Sequence, residues 1–269
     1  VITADGRGDG ITSTVSIFEN NELKRLSYST VESSLGHFFG AVTEAIGFRY
    51  GNDEGKTEAL AAFGKETKAY NILKSFFHVE ELEIKGKLAP YHRNISLKFS
   101  HLLKDFRKED SAYAAQRVLD ETVTELVKNA IRITGINQVV LAGGIFYNVK
   151  TNQKIYQIPE VADMYIYPAA GDSGVSIGAV LLDSHLHEGV KNKKTEHVYY
   201  GTSYSNDYIK SVLDKTDLKY EYIEDIGSYV GSEIIPNNSM VGWFRGRMEF
   251  GPRALGARSV FISPKKLEN

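Results

Sequence analysis

Cysteine is absent from the 269 residues, which excludes disulfides, thiolate nucleophiles and cysteine-held zinc or iron–sulfur centres together. Charge of one sign is not in surplus either. With 32 Lys and Arg against 34 Asp and Glu the formal net charge is -2, so neither a nucleic-acid footprint nor an acidic solvating tail is advertised. Long hydrophobic runs are missing as well, since VVLAGGIF and VSIGAVLL stop far short of the roughly 20 residues needed to span a bilayer. No signal-peptide pattern opens the chain. A cytoplasmic location without membrane or nucleic-acid partners is expected, and the Asn94-Ile95-Ser96 sequon reads as chance. The hydrophobic share of 42% and charged share of 25% are ordinary for globular protein and suffice for one large domain or two small ones. Because Val1 is not Met and lies directly in strand-like sequence, a longer parent protein is expected to precede it.

Periodicity orders what is present. ITSTVSIFEN and ELKRLSYST alternate β-branched or aromatic residues with polar ones around Asn20-Asn21, predicting a β-meander with residues 1–4 as the strand before it. Apolar residues at three and four from Leu35 to Ile46 predict a helix over 34–47 closed by Gly47. Residues 66–110 are polar and charge-rich and read as an insertion of helices and loops. Beyond them the pattern gives a long amphipathic helix at 111–134, a strand at 138–142, a helix at 148–158, a strand at 164–167 and an apolar helix at 175–185. A composition shift at 191–194 leads into a second α/β segment, with a helix at 207–213, a strand at 220–223, another helix and a strand at 240–244. This segment is expected to be a domain cut mid-fold.

Glycine-rich turns mark the ends of three of these strands. Asp5-Gly6-Arg7-Gly8-Asp9-Gly10 sets carboxylates beside glycines whose missing side chains let backbone approach an anion; a tight turn with solvated aspartates would give the same string. Leu141-Ala142-Gly143-Gly144 opens a helix capped by Asn148, directing free N–H groups at whatever sits above the sheet, with nucleotide phosphate or ribose as the expected occupant. Its glycine spacing is not a dinucleotide fingerprint. Pro168-Ala169-Ala170-Gly171-Asp172 places Asp172 at the carboxyl edge of the sheet, where it faces Asp5 and offers a second hard ligand for a divalent metal; the alternative is an ordinary capping aspartate. Gly51-Asn52-Asp53-Glu54-Gly55-Lys56-Thr57 fails the P-loop spacing, although Glu54 and Lys56 remain candidate nucleotide contacts. Finally, residues 243–259 pack four arginines among glycines after a strand, which suits bidentate capture of phosphate or carboxylate. No histidine stands out as a base.

DGRGDG, SLGHFFGAVTEAIGF, DEGKTEALAAFG, LAGGIFYNVKTNQKI, AAGDSGVSIGA and above all GWFRGRMEFGPRALGARS resemble the NodU-type O-carbamoyltransferases across essentially the whole chain. That resemblance implies an α/β fold in which residues 1–197 form a ribonuclease-H-like lobe of the actin-like ATPase superfamily, with mixed sheet and flanking helices. Residues 198–269 would begin a truncated YrdC-like segment. It further implies ATP-dependent conversion of carbamoyl phosphate to carbamoyl adenylate and transfer to a hydroxyl of a small-molecule or sugar acceptor. By motif, Asp5 and Asp172 are the implied catalytic and metal-ligating pair, with Fe, Mg, Mn and Zn all open. Gly6, Gly8, Gly143, Gly144, Asn148 and Gly171 would line the nucleotide, beside Glu54 and Lys56, while Arg247, Arg253 and Arg258 would face phosphate. Arg245 and Ala257 stand where the family pattern has Gln and Asn. With one lobe absent, the isolated chain is expected to have no turnover. A sugar or metabolite kinase of the same superfamily would share the glycine turns but not the arginine-rich segment, and a nucleotide-gated chaperone or filament module would need both lobes.

Overall fold

The computed structural model describes residues 1–187 and 195–266. The polypeptide divides into two compact units, Val1–Val180 and Leu181–Asn269. The composition shift at 191–194 lies outside the described residues.

In the first unit three antiparallel strands are followed by two parallel ones. β1 (Ile2–Gly8), β2 (Ile11–Glu19) and β3 (Glu22–Thr30) form the meander. Both of its turns are two residues long with positive φ at each, 52° and 80° at Asp9 and Gly10, 51° and 65° at Asn20 and Asn21. Mirror-image turns of this kind match the right-handed twist of the strands they join, and Asn, Asp and Gly tolerate them best. After the helices, β6 (Gln138–Ala142) returns parallel to β1, and β7 (Asp163–Ile166) parallel to β6. The resulting sheet order, β3-β2-β1-β6-β7, is that of a ribonuclease-H-like lobe and sets the carboxyl ends of β1, β6 and β7 side by side.

Helix α1 (Leu35–Ala45) starts at the N-cap Ser34, whose Oγ accepts the His37 N–H at 3.0 Å. It buries Leu35, Phe38, Phe39 and Val42 against β1, α4 (His92–Leu103) and α5 (Lys108–Thr134). Phe38 stands edge-on to Phe77 and Phe99 with ring centroids 5.0 and 5.7 Å apart, and burying one such ring stabilises the fold by about 1.5–3 kcal/mol. Helix α5 runs 27 residues and stops at Gly135, whose φ of 71° ends the helix in the left-handed conformation that glycine adopts without a Cβ penalty.

The 66–110 stretch differs from its expectation. Besides α3 (Lys68–Lys74) and α4 it holds a hairpin, β4 (Phe77–Glu80) and β5 (Glu83–Gly86), which buries Phe77 and Ile84 and is tied to β3 by Ile84 N donating to Ser29 Oγ at 2.9 Å. Helix α2 (Glu54–Leu60) precedes it, and α6 (Val149–Tyr156) and α7 (Val175–His187) follow β6 and β7. Of α7 no side chain is buried; Val175, Val180, Leu182 and Leu186 are all exposed.

The second unit contains α8 (Asn206–Leu213), the short α9 (Ile226–Tyr229) continuing into a π-helical turn, and one antiparallel pair, β8 (Val241–Phe244) and β9 (Arg258–Phe261). The strand expected at 220–223 does not form: those residues have no ladder partner, and Tyr220 and Tyr222 stand exposed. No helix among the described residues is long and apolar enough to cross a membrane.

Candidate functional site

The three glycine turns meet. Asp5 sits where β1 breaks register with β2, and both its carboxylate oxygens accept backbone N–H groups: Oδ1 from Gly6 at 2.6 Å and Oδ2 from Gly144, 139 residues away, at 2.7 Å. Gly143 N donates to Ala170 O at 2.7 Å, joining the second turn to the third, and Gly171 N donates to Tyr147 Oη at 2.8 Å. These contacts correct one expectation. The N–H groups of Gly143 and Gly144 are spent inside the protein, so the turn does not offer two free donors. Gly143 is confined by its neighbours, because a Cβ there would lie 2.1 Å from Ala4 O and its φ is +106°.

From the helix side, α1 presses its first turn onto the end of β1. Ser34 Oγ donates to Gly6 O at 2.6 Å, and a Cβ on Gly36 would stand 2.6 Å from Gly6 N. That contact seats His37 over Gly6, with imidazole atoms 3.5 and 3.7 Å from where a Gly6 Cβ would be. Its Nδ1 is buried without a partner. Burial pushes the imidazole pKa down, helped by the charges of Arg7 and His92 and opposed by Asp5. Sequence reading passed over His37 because it lies in the middle of an apolar helical repeat, and only the Gly36–Gly6 contact reveals what it faces. Behind it Tyr50 lies between His37 and His92, with ring centroids 6.4 and 4.8 Å away, and burial together with Glu54 and Glu44 pushes its hydroxyl pKa up to about 12.

Glu54 and Lys56 are engaged locally. Glu54 accepts Gly51 N at 2.6 Å, while Lys56 pairs with Asp53 at 2.9 Å. Asp172 is exposed at the start of the one-turn 3₁₀ segment leading into α7. Gly8 closes the hairpin register opposite Ile11. Asn148 points inward: as N-cap of α6 it accepts Thr151 N at 2.9 Å and exchanges two hydrogen bonds with Gln116 of α5, at 2.8 and 3.0 Å. Its amide therefore holds the helix that follows the second turn. Gln116, unmarked in the sequence, is the hub of that network.

In the second unit the arginine-rich segment is the loop between β8 and β9, and a glutamate organises it. Glu249 is 5% exposed. Its Oε1 accepts the N–H groups of Leu255, Ala257 and Arg258 at 2.6, 3.3 and 3.3 Å. Burial opposes ionisation, yet these backbone donors win and hold the carboxyl at about 2. Arg258 is turned onto the loop, donating to the carbonyls of Arg245, Gly246 and Ala257 and stacking 3.4 Å over the Phe244 ring. A cavity of about 600 Å³ lies beside the loop, walled by His197, Tyr200, Arg245 and Arg247 among others; Arg253 and Arg258 are not among its walls.

Among the described residues no three of His, Asp and Glu converge on a common metal position. Asp5 and Asp172 alone fall short of the four or more ligands that a protein-held divalent cation takes. Within the described residues Asp5 and Asp172 could supply two of them.

Residues 1–181 match the family described as carbamoyltransferase N-terminus, and residues 232–269 the family described as carbamoyltransferase C-terminus. An uncharacterised protein of Methanocaldococcus jannaschii is 34% identical over 98% of the chain and 47% of its own length. Nodulation protein NolNO of Sinorhizobium fredii is 28% identical over 100% of the chain and 41% of its own. The 3'-hydroxymethylcephem-O-carbamoyltransferase of Amycolatopsis lactamdurans is 26% identical over 79% of the chain and 39% of that enzyme. The chain thus spans about half the length of the curated relatives it matches. Full-length HypF in its phosphate- and nucleotide-bound form aligns with 60% of the chain and 25% of its own at 24% identity, with a TM-score of 0.40.

Proposed function

Because the chain belongs to the carbamoyltransferase family, we propose that it forms part of an O-carbamoyltransferase that uses ATP to activate carbamoyl phosphate as carbamoyl adenylate and passes the carbamoyl group to a hydroxyl of a small-molecule or sugar acceptor. The observation that carries this reading is the closure of the three turns around Asp5, whose carboxylate is fixed between Gly6 and Gly144. A mixed anhydride lying at the Gly143–Gly144 turn would present its carbonyl carbon at the sheet edge. Attack there by the acceptor hydroxyl forms the new C–O bond, the C–O bond to the phosphoryl oxygen breaks, and AMP leaves with the electron pair. His37, held over Gly6 with its pKa lowered by burial, is the neutral imidazole nearest this edge and the group we assign to receive the hydroxyl proton. The phosphate-facing part of the reading rests on Arg245 and Arg247 in the wall of the second unit's cavity, where guanidinium groups suit phosphate oxygens.

The test is a transfer assay on the protein expressed from its own gene, with labelled carbamoyl phosphate, ATP and a panel of hydroxylated sugars and antibiotics, beside an Asp172→Ala variant. Carbamoyl adenylate formed by both proteins, with transfer reduced at least about 100-fold in the variant, is expected for a group at the transfer centre. ATP cleavage with phosphate passed to a sugar, and no carbamoyl product, would replace this reading by the kinase one.

A further inference from the structure

Away from the glycine turns, a cleft of about 700 Å³ opens between α2, α5 and α6. Its floor carries two acids. Asp120 Oδ1 accepts Thr151 Oγ1 at 2.7 Å and Gln116 Nε2 at 2.8 Å. Its Oδ2 has no partner among the described residues and is not closed off from solvent. Glu58 is buried, accepts Lys150 N at 3.1 Å, and lies close enough to Asp120 to disfavour its ionisation. The rim is basic. Lys150 and Lys154, one turn apart on α6, and Lys128 on α5 are exposed and belong to no ion pair among the described residues. Of the cleft's remaining charged groups, Arg117 and Glu121 already pair with each other at 2.8 Å.

This arrangement selects its ligand by exclusion. Three unpaired ammonium groups disfavour an amine, and two floor carboxylates disfavour a dicarboxylate that would reach them. A molecule that brings an anion to the rim and hydroxyl donors to the floor satisfies both, with the Gln153 and Gln157 amides in the lining to meet further hydroxyls and Ile158 and Pro159 offering an apolar wall to ring C–H groups. We propose that the cleft is a binding site for a monosaccharide phosphate, its phosphate on Lys150 and Lys154 and its hydroxyls on Asp120 Oδ2. The floor also joins the candidate transfer site, since Gln116 bonds Asp120 on one side and Asn148, the cap that follows the glycine turn, on the other.

Isothermal titration of the 269-residue chain with glucose 6-phosphate tests this, with glucose and inorganic phosphate as separate arms. Binding of the sugar phosphate at or below about 1 mM is expected, at least about tenfold tighter than either arm, because each lacks one half of the recognition. Lys154→Gln, an exposed change that leaves the hydrogen bonds of the floor in place while removing a charge that favours the ionised Asp120, is expected to weaken it at least about fivefold, as the loss of one charge-assisted contact does. Asp120→Asn, checked for an unchanged thermal transition, should weaken the sugar phosphate while leaving the phosphate arm unaffected. Phosphate binding as tightly as the sugar phosphate, absence of binding in all arms, or indifference to Lys154→Gln would each overturn the proposal.

Discussion

Glu249 shows how one side chain can hold a loop and set a pH limit. Its folded-state pKa lies at about 2 against an ordinary 4.5, so the unfolded chain binds the proton more readily. The sign follows: the carboxylate's contribution is fully present above about pH 4.5 and is lost as pH falls towards about 2. Tryptophan fluorescence of the single Trp243 on β8 is therefore expected to report loosening of the loop's hairpin within that window, and a Glu249→Gln variant should show no such transition there. Asp120 carries the opposite sign. Burial raises its pKa, so its ionisation costs stability as pH rises, and acid relieves that cost. At the second turn the limit is steric rather than electrostatic. Gly143→Ala forces a Cβ to within 2.1 Å of Ala4 O at a φ of +106°, and a loss of at least about 2 kcal/mol is expected in urea titration, since left-handed strain and backbone displacement add. Asp5 and the glycines were legible as residue types at strand ends. Glu249, His37 and Gln116 were not, because apart from the Gln116–Asp120 bond four residues on the contacts that place them reach 6 to 35 residues away and nothing in local periodicity marks them.

At the scale of elements, Ser34 is the joint between helix and strand. It caps α1 through His37 N and donates to Gly6 O, and it is fully buried. Ser34→Ala removes a cap worth about 1 kcal/mol and strands a backbone carbonyl at a cost of about 1–3 kcal/mol. A total loss of about 2–4 kcal/mol is expected in chemical denaturation. Because the same contact seats His37, the carbamoyl transfer proposed above should, if assayed in the protein expressed from its own gene, fall in the variant at temperatures where it remains folded. Elements with a strong single period were legible in advance: the meander with its Asn20-Asn21 turn, α1, α5 and the β6–α6 and β7–α7 units follow the expected spans closely. Others were not. The β4–β5 hairpin turns at Glu81-Leu82, where Glu81 takes a φ of +50°, and no Gly, Asn or Asp announces such a turn. Conversely Tyr220 to Ile223 has strand composition, but β-propensity expresses itself only where a neighbouring strand pairs with it, and among the described residues no strand pairs with these.

For the whole molecule, the uncovered helix α7 has the largest consequence. Val175, Val180, Leu182 and Leu186 are 66%, 68%, 58% and 65% exposed on a helix that buries nothing, although its apolar composition is that of a core element. Exposed apolar surface drives association in water at roughly 25 cal/mol per Å² removed from solvent. The chain is therefore expected to self-associate with rising concentration, seen as a growing weight-average mass in sedimentation or light scattering. A Leu182→Lys, Leu186→Lys double variant should remain monomeric over the same range. These substitutions lie on exposed helix positions and leave the sheet core alone, so the thermal transition of the first unit should be unchanged within about 0.5 kcal/mol. Association that persists undiminished in the double variant would show that another surface carries it, and the exposed strand face bearing Phe18, Leu23 and Tyr28 is the one to substitute next.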